Sequence, residues 1–491
     1  MMNSIRIDIN RSKGIIDRNI FGGFAEHLGR CIYGGIYEPG SPLADEDGFR
    51  RDVFESLTRL NMPLIRYPGG NYVSGYRWQD GVGPAEERRA QLDLAWKSLE
   101  PNTFGTNEFI KFCRKLKTEP YLAVNCGDGD MREARDWVEY CNGTQPTYWV
   151  KQRQAHGFPE PHNVKYWGIG NEVDGPWQIG YKTPQEYARA LTEFAKVMKW
   201  IDPDIKLIAS AVSVWEHDVV ERAQLMIEQA GSLIDYLGLH WYVGNPTDDF
   251  ATYMAIPEML EERLSAYEGL IRALRLDNKL TRPLWIAVDE WNVWYRTHPA
   301  LGKPMNNLEE FYNLEDALVV AMQLNLFIRH AASVKMANIA QIVNVIAPIF
   351  TNPNGHFLQT IFFPFELYSR TCGNVALDVV VETETFSTAD SSGVQLLDVT
   401  ATLDEQRNQL VVYVVNRSQA DDIETRLSLL EGYFAGDVQI STVNGKDIKV
   451  ENTFETPNNV GTTQTSMNAD GSVLTYTFEA HSVTAMVCSL T

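Results

Sequence analysis

Two glutamates stand at the ends of strand-like runs. Val164-Lys165-Tyr166-Trp167-Gly168-Ile169-Gly170-Asn171-Glu172 reads as a buried strand that ends in a carboxylate, and Leu284-Trp285-Ile286-Ala287-Val288-Asp289-Glu290-Trp291-Asn292 repeats the pattern 118 residues later. A strand has no local reason to end in Glu. Two such strands point to a pair of carboxylates converging on one site. Glycosidic bond hydrolysis needs that pair: one group protonates the leaving oxygen while the other attacks the sugar or activates water. In this reading Glu172 is the general acid, Glu290 the nucleophile, and Asn171 hydrogen-bonds the sugar beside the scissile bond. A separation of about 5–5.5 Å would give retention through a glycosyl-enzyme. The acid must hold its proton near neutral pH, which takes apolar burial or a negative neighbour, and Glu290 could be that neighbour. Taken singly, either glutamate could instead cap the helix that follows it.

The elements that must carry these residues alternate along the chain. Short apolar runs occur at 20–25, 64–68, 121–125, 166–170, 207–211, 236–241, 284–288 and 334–342. Between them lie stretches with apolar residues at helical spacing, including 49–60, 106–116, 184–200 and 317–331. Thr183-Pro184 with Glu186 beyond is a helix-start signature. Eight strand–helix units predict an α/β fold, a (β/α)8 TIM barrel over residues 17–370. A doubly wound open sheet is the alternative, but it would gather its functional residues at one switch point. Beyond residue 371 the chain is rich in Val, Thr and Tyr, with strands expected at 378–386, 409–417 and 473–490. Turn signals stand at Ser391-Ser392-Gly393, Asn444-Gly445 and Asn468-Ala469-Asp470-Gly471. That texture predicts an all-β, jelly-roll-like sandwich over 371–491, with the extended segment 1–16 adding a strand to it.

Composition narrows the partners. The chain has 491 residues and a formal charge of −21, with 43 Lys and Arg against 64 Asp and Glu. That balance repels nucleic acid and suits a neutral saccharide. No run approaches 18 uninterrupted apolar residues and the first residues alternate like a strand, so neither a membrane span nor a signal peptide is expected. The six cysteines are scattered, as reduced thiols in a cytoplasmic protein would be. His156 and His162 share no helical face, so no metal is expected, and no cofactor-binding glycine loop occurs.

At this point a resemblance can be stated. Gly170-Asn171-Glu172 with Asp174-Gly175-Pro176-Trp177, followed by Asp289-Glu290-Trp291-Asn292-Val293-Trp294, resembles the α-L-arabinofuranosidases of glycoside hydrolase family 51. Phe24 to Arg30, Arg66-Tyr67-Pro68-Gly69-Gly70-Asn71, Leu94-Ala95-Trp96, Asn107-Glu108-Phe109, His240-Trp241-Tyr242 and Ala340 to Pro348 match further along the barrel. The resemblance implies acid/base and nucleophile roles for Glu172 and Glu290. It implies that Glu26, Asn71, Asn171 and Gln341 hold the furanose hydroxyls and that Tyr242 orients Glu290. Arg66 would keep the nucleophile ionised, His240 would tune the acid, and Trp96 and Trp294 would wall the sugar pocket. Judged alone, Arg66 could be a structural ion-pair partner, His240 a satisfied core histidine, the aromatics ordinary packing, and Asn71 a turn residue. His27 is set apart, since it would point to the other strand face from Glu26. Gly168, where relatives often carry a larger residue, and the charged segment 85–91 depart from the pattern. The implied activity is retaining, exo-acting release of terminal α-L-arabinofuranose from arabinan- or arabinoxylan-derived oligosaccharides, by a homo-oligomer, hexameric in many relatives. The rivals are a β-xylosidase or endo-glucanase on the same scaffold, and a carbohydrate-binding protein with an inactive barrel.

Overall fold

The computed structural model describes residues 3–215, 218–303 and 306–491. Eight parallel strands close into a barrel: Gly22–Phe24, Leu64–Tyr67, Glu119–Val124, Tyr166–Ile169, Lys206–Val212, Tyr236–Val243, Trp285–Val293 and Val334–Ala340. Every expected run enters it. The ring is closed because Gly22–Phe24 pairs with Leu64–Tyr67 on one side and Val334–Ala340 on the other, which sets aside the open sheet. The first strand is shorter than its apolar run. Asp17 accepts from the Asn19 N–H and caps a 3-10 turn over Arg18–Phe21, so pairing begins only at Gly22.

Local chemistry starts the helices where the chain needs them. Thr183 and Glu186 form a reciprocal capping box at 3.3 and 2.9 Å, with Pro184 where its missing N–H costs no hydrogen bond. The helix Leu314–Arg329 is buried along almost its whole length despite carrying Asp316, Gln323 and Asn325. A helix covered on all sides must satisfy its polar groups internally. Asp316 accepts from Tyr253 Oη at 2.9 Å, Gln323 from Trp241 Nε1 at 2.8 Å, and Asn325 donates to Asp398 at 3.0 Å. Asp398 belongs to the C-terminal sheet, which covers this helix.

The C-terminal part is all-β: nine strands join in one ladder, and Thr385–Phe386 pairs apart from it with Val394–Gln395. The order of the ladder is Gly461–Gly471, Phe434–Asn444, Val483–Leu490, Gln409–Asn416, Leu397–Asp404, Val375–Glu382, Asn3–Ile15, Ile423–Leu429 and Val473–Phe478. Ile440 and Met486 from one end share an apolar cluster with Leu427 and Phe478 from the other, so the ladder folds over itself into two facing layers. Asn3–Ile15 pairs antiparallel with Val375–Glu382 and parallel with Ile423–Leu429.

Two of the expected strands are divided. The run 473–490 is two strands, because the chain turns at His481 (φ 42°) without a Gly or Pro to announce it. The run 378–386 likewise divides, into Val375–Glu382 and Thr385–Phe386. Asn444-Gly445 marks the turn out of Phe434–Asn444, whose antiparallel partner Gly461–Gly471 begins only after a long loop. Residues 445–460 leave the sheet and reach the barrel, where Ile448 O accepts from Glu315 N at 3.0 Å and Lys449 Nζ meets Glu315 Oε1 at 2.6 Å.

The seam between barrel and sheet is rich in buried charge. Arg329 and Arg417 meet Asp398 at 2.8 and 3.3 Å; next to Arg329, on the barrel side, His330 lies between Glu261 at 2.6 Å and Glu268 at 2.8 Å. Burial pushes His330 down, but the two carboxylates outweigh it and raise it from 6.5 to about 9. A group raised on folding contributes its full stability below its unfolded value and loses it as pH rises through the folded one. The window is therefore pH 6.5 to 9. The thermal midpoint of the wild type, relative to that of His330→Gln, is expected to fall across this window in scanning calorimetry. Parallel pH curves would refute the assignment.

Candidate active site

Leu64, Tyr121, Tyr166, Ile208, Tyr236, Ala287 and Met336 fill the barrel with an apolar layer, so any site lies above it, at the C-terminal ends of the strands. The fourth strand ends in Gly170 at φ 80°, and Glu172 itself has φ 43°. A non-glycine residue held there is strained, a cost that recurs at functional sites. The turn carries Glu172 to His240 Nδ1, 3.2 Å from its Oε1, while Trp177 Nε1 donates to Oε2 at 2.7 Å.

The seventh strand reaches the same place by a β-bulge. Val288 pairs with Leu239 and Glu290 with His240, leaving Asp289 as the extra residue. Strict alternation would send adjacent Asp289 and Glu290 to opposite faces. The bulge turns both inward, and Trp291 packs outward against Phe327 with ring centroids 5.1 Å apart. Arg66 from the second strand donates from Nη1 to Glu290 Oε1 at 2.7 Å and from Nη2 to Asn171 Oδ1 at 2.6 Å. Tyr242 Oη donates to Glu290 Oε2 at 2.7 Å.

A carboxylate oxygen of Glu172, one of Glu290 and a ring nitrogen of His240 lie within 4.8 Å of one another. Oxygens that close fit a retaining pair better than the ~6.5–9.5 Å that an inverting enzyme leaves for water. The two environments differ. Burial and the negative charge of Glu290 raise Glu172 above the usual carboxylate range, against the hydrogen bond from His240. Burial would raise Glu290 too, but His240, Arg66 and the Tyr242 hydroxyl outweigh it and hold it low. His240 is lowered by burial and raised further by the two carboxylates it faces, for a net upward shift. One carboxyl is thus set to keep its proton and the other to lose it.

A pocket of polar groups adjoins the pair. Glu26 Oε1 accepts from Tyr72 N and Trp96 Nε1, each at 2.9 Å, and Oε2 accepts from Gln341 Nε2 at 2.9 Å. Burial pushes Glu26 up to about 8 against these donors. Gly69 and Gly70 must be small here: a Cβ on Gly70 would fall 2.3 Å from Glu26 Oε2. Asn71 opens the 3-10 turn that follows and is half-buried, its carbonyl accepting from Gln178 Nε2 at 3.4 Å. Trp294 meets the Tyr242 ring edge-on at 5.4 Å. Trp96 sits on a hairpin whose Asp93 accepts from Trp96 N at 2.9 Å and whose Glu100 pairs with His27 at 2.9 Å. His27 therefore lies outside the pocket and anchors the hairpin base.

The geometry adds residues to which the sequence reading assigns no role. Trp177 contacts Glu172 directly, and Asp289, Tyr121 and Asn338 form a group beneath Arg66. Trp177 and Asp289 stand inside the quoted motifs, and two adjacent acids in one buried strand were the available sign of a bulge. His156 and His162 point to separate partners, Tyr140 Oη and Asn107 Oδ1, each at 3.0 Å.

Comparison with known proteins agrees with this architecture. The family model for the α-L-arabinofuranosidase 1 domain matches residues 56–257, and that for the α-L-arabinofuranosidase C-terminal domain matches 289–482. An intracellular exo-α-(1→5)-L-arabinofuranosidase of Halalkalibacterium halodurans is 40% identical over 87% of both chains. The α-L-arabinofuranosidase of Thermotoga maritima, solved as an arabinose complex, superposes with a TM-score of 0.92 at 38% identity and covers 100% of both chains. The thermostable family 51 enzyme of Thermotoga petrophila gives 0.91 at 39% identity over 99% of both. A metagenomic glucanase-xylanase shares the fold alone, at 13% identity and a TM-score of 0.64. With curated relatives at 40% identity across most of its length, the chain belongs to the α-L-arabinofuranosidases of glycoside hydrolase family 51.

Proposed function

We propose that this protein is a retaining, exo-acting α-L-arabinofuranosidase that removes terminal arabinofuranose from arabinan- or arabinoxylan-derived oligosaccharides. The observation that carries the reading is the close, unequal carboxylate pair at the barrel mouth. Glu172 gives its proton to the glycosidic oxygen as Glu290 bonds to the anomeric carbon. Glu172, now ionised, takes a proton from water, and that water releases the sugar from Glu290 with net retention. Arg66 and Tyr242 hold the attacking carboxylate, and His240 sits between the two acids.

Unfilled hydrogen-bonding capacity at Asn171 supports its place in the binding shell. Asn171 spends its Oδ1 on Arg66, while its Nδ2 is buried without a partner and is free to donate to a sugar hydroxyl. Glu26, Gln341 and Asn71 take the remaining hydroxyls, and Trp96 and Trp294 wall the pocket. Gly70→Ala, which drives a methyl into the Glu26 carboxyl group, is expected to lower kcat/KM about 10–100-fold, the cost of a buried hydrogen bond left unmade. Initial rates would show it, and wild-type rates would remove Glu26 from the substrate shell.

The test of the activity is a panel of aryl glycosides: α-L-arabinofuranoside, β-D-xyloside and β-D-glucoside. Turnover of the arabinofuranoside alone supports the reading. Turnover of the xyloside or glucoside in its place would keep the mechanism and overturn the substrate. No helix among the described residues is long and apolar enough to cross a membrane. Action in the cytoplasm on short imported oligosaccharides, as a homo-oligomer, completes the proposal; light scattering tests the assembly.

A further inference from the structure

Beneath the nucleophile lies a second buried carboxylate that the reaction does not use. Asp289 precedes Glu290 on the bulge and is almost wholly buried. Tyr121 Oη donates to its Oδ2 at 2.9 Å and Asn338 Nδ2 to its Oδ1 at 2.9 Å. Arg66 Nε lies 3.4 Å from Oδ2, while Nη1 of the same guanidinium holds Glu290. Tyr121 and Asn338 are fully buried, and Arg66 is 1% exposed. Gly168 makes the Tyr121 contact possible, since a Cβ there would fall 2.7 Å from the hydroxyl. One cation therefore stands between two adjacent anions, and a tyrosine hydroxyl carries part of the charge of the second.

We propose that Asp289 is a positioning residue for the nucleophile, sharing the charge of Arg66 so that Glu290 stays ionised yet remains able to attack, with Tyr121 setting how strongly Asp289 competes. The proposal rests on Glu290 being the nucleophile. The charged and titratable groups that face Glu290 are Arg66 from the second strand, His240 and Tyr242 from the sixth, Glu172 from the end of the fourth, and Glu26 from the first. Those facing Asp289 are Arg66 and Tyr121, with neutral Asn338. Removing the Asp289 charge leaves Arg66 undivided and takes a like charge from beside Glu290, and both effects favour the ionised nucleophile. Removing only the Tyr121 hydroxyl does the reverse. Asp289 then draws Arg66 more strongly and its unshared charge repels Glu290.

The experiment is the pH dependence of kcat/KM on an aryl α-L-arabinofuranoside for the wild type, Asp289→Asn and Tyr121→Phe. The acid limb reports ionisation of the free enzyme's nucleophile. It is expected to move down by about one pH unit in Asp289→Asn and up in Tyr121→Phe, with a lower plateau in Asp289→Asn because a more stabilised carboxylate attacks less readily. A purely structural role would change the thermal midpoint and leave both limbs in place, which would overturn the proposal. Should Asp289→Asn fail to fold, Tyr121→Phe decides alone: an unmoved limb refutes it. Azide rescue of Glu290→Ala is the control. With rescue intact, unmoved limbs overturn only this proposal; without rescue, the nucleophile assignment itself fails.

Discussion

Glu290→Ala is expected to lower kcat by about 10⁴-fold or more, since the proposed reaction gives Glu290 the bond to the anomeric carbon and enzymes of this kind supply many orders of magnitude. The variant should fold, because alanine leaves room for water where the buried carboxylate stood. Arg66 would lose one partner but keep Asp289 and Asn171. The cavity left between Arg66, Tyr242 and His240 suits a small anion. Azide should enter it, attack from the face Glu290 occupied, and give the β-configured arabinofuranosyl azide from an activated aryl α-L-arabinofuranoside. NMR of the product settles the anomer. An α-azide, or full activity without azide, would place the nucleophile elsewhere.

Much of the fold is legible in the sequence because a parallel barrel leaves a strong trace. Strands buried on both faces read as unbroken apolar runs, and the helices between them keep one apolar face. The C-terminal part is less legible. Its strands are set by pairings hundreds of residues apart, such as Asn3–Ile15 beside Val375–Glu382, and no local pattern encodes such a register. The turn at His481 lacks the glycine and proline signals that mark turns elsewhere, and the excursion at 445–460, although it opens on Gly445, takes its length and course from its contacts with Glu315 on the barrel.

The site divides in the same way. Glu172 and Glu290 stand out because a carboxylate ending an apolar strand is anomalous on its own. Arg66, His240 and Tyr242 carry no such mark: an arginine in an apolar run is read as functional only through a resemblance. What the structure adds is their mutual arrangement, in which one histidine lies 3.2 Å from one acid and 3.7 Å from the other. Asp289 and Tyr121 are least legible. Period-two alternation puts Asp289 and Glu290 on opposite faces, and only the bulge, a property of the pairing with the sixth strand, brings both inward.

Glu172→Ala separates the two steps of the reaction and should do so differently for each leaving group. Proton transfer from a positioned acid contributes roughly 10²–10⁴-fold. That full loss is expected in kcat/KM for an arabino-oligosaccharide, whose departing sugar alkoxide is a strong base. For a dinitrophenyl arabinofuranoside the departing phenolate needs no proton, so kcat/KM should hold within about tenfold while kcat falls, because the glycosyl-enzyme now waits for water without a base. The intermediate should accumulate, visible as a burst of dinitrophenol equal to the enzyme concentration. Azide should restore turnover by attacking that intermediate from the face opposite Glu290, and its product must be the α-azide, opposite in configuration to that from Glu290→Ala. The raised position of Glu172 gives a further check. It is active in its protonated form, so the alkaline limb of the wild-type kcat/KM profile belongs to it and should vanish in Glu172→Ala, leaving the acid limb of Glu290. Equal slowing of both substrates, or an alkaline limb that persists, would mean that the leaving oxygen receives its proton from another group.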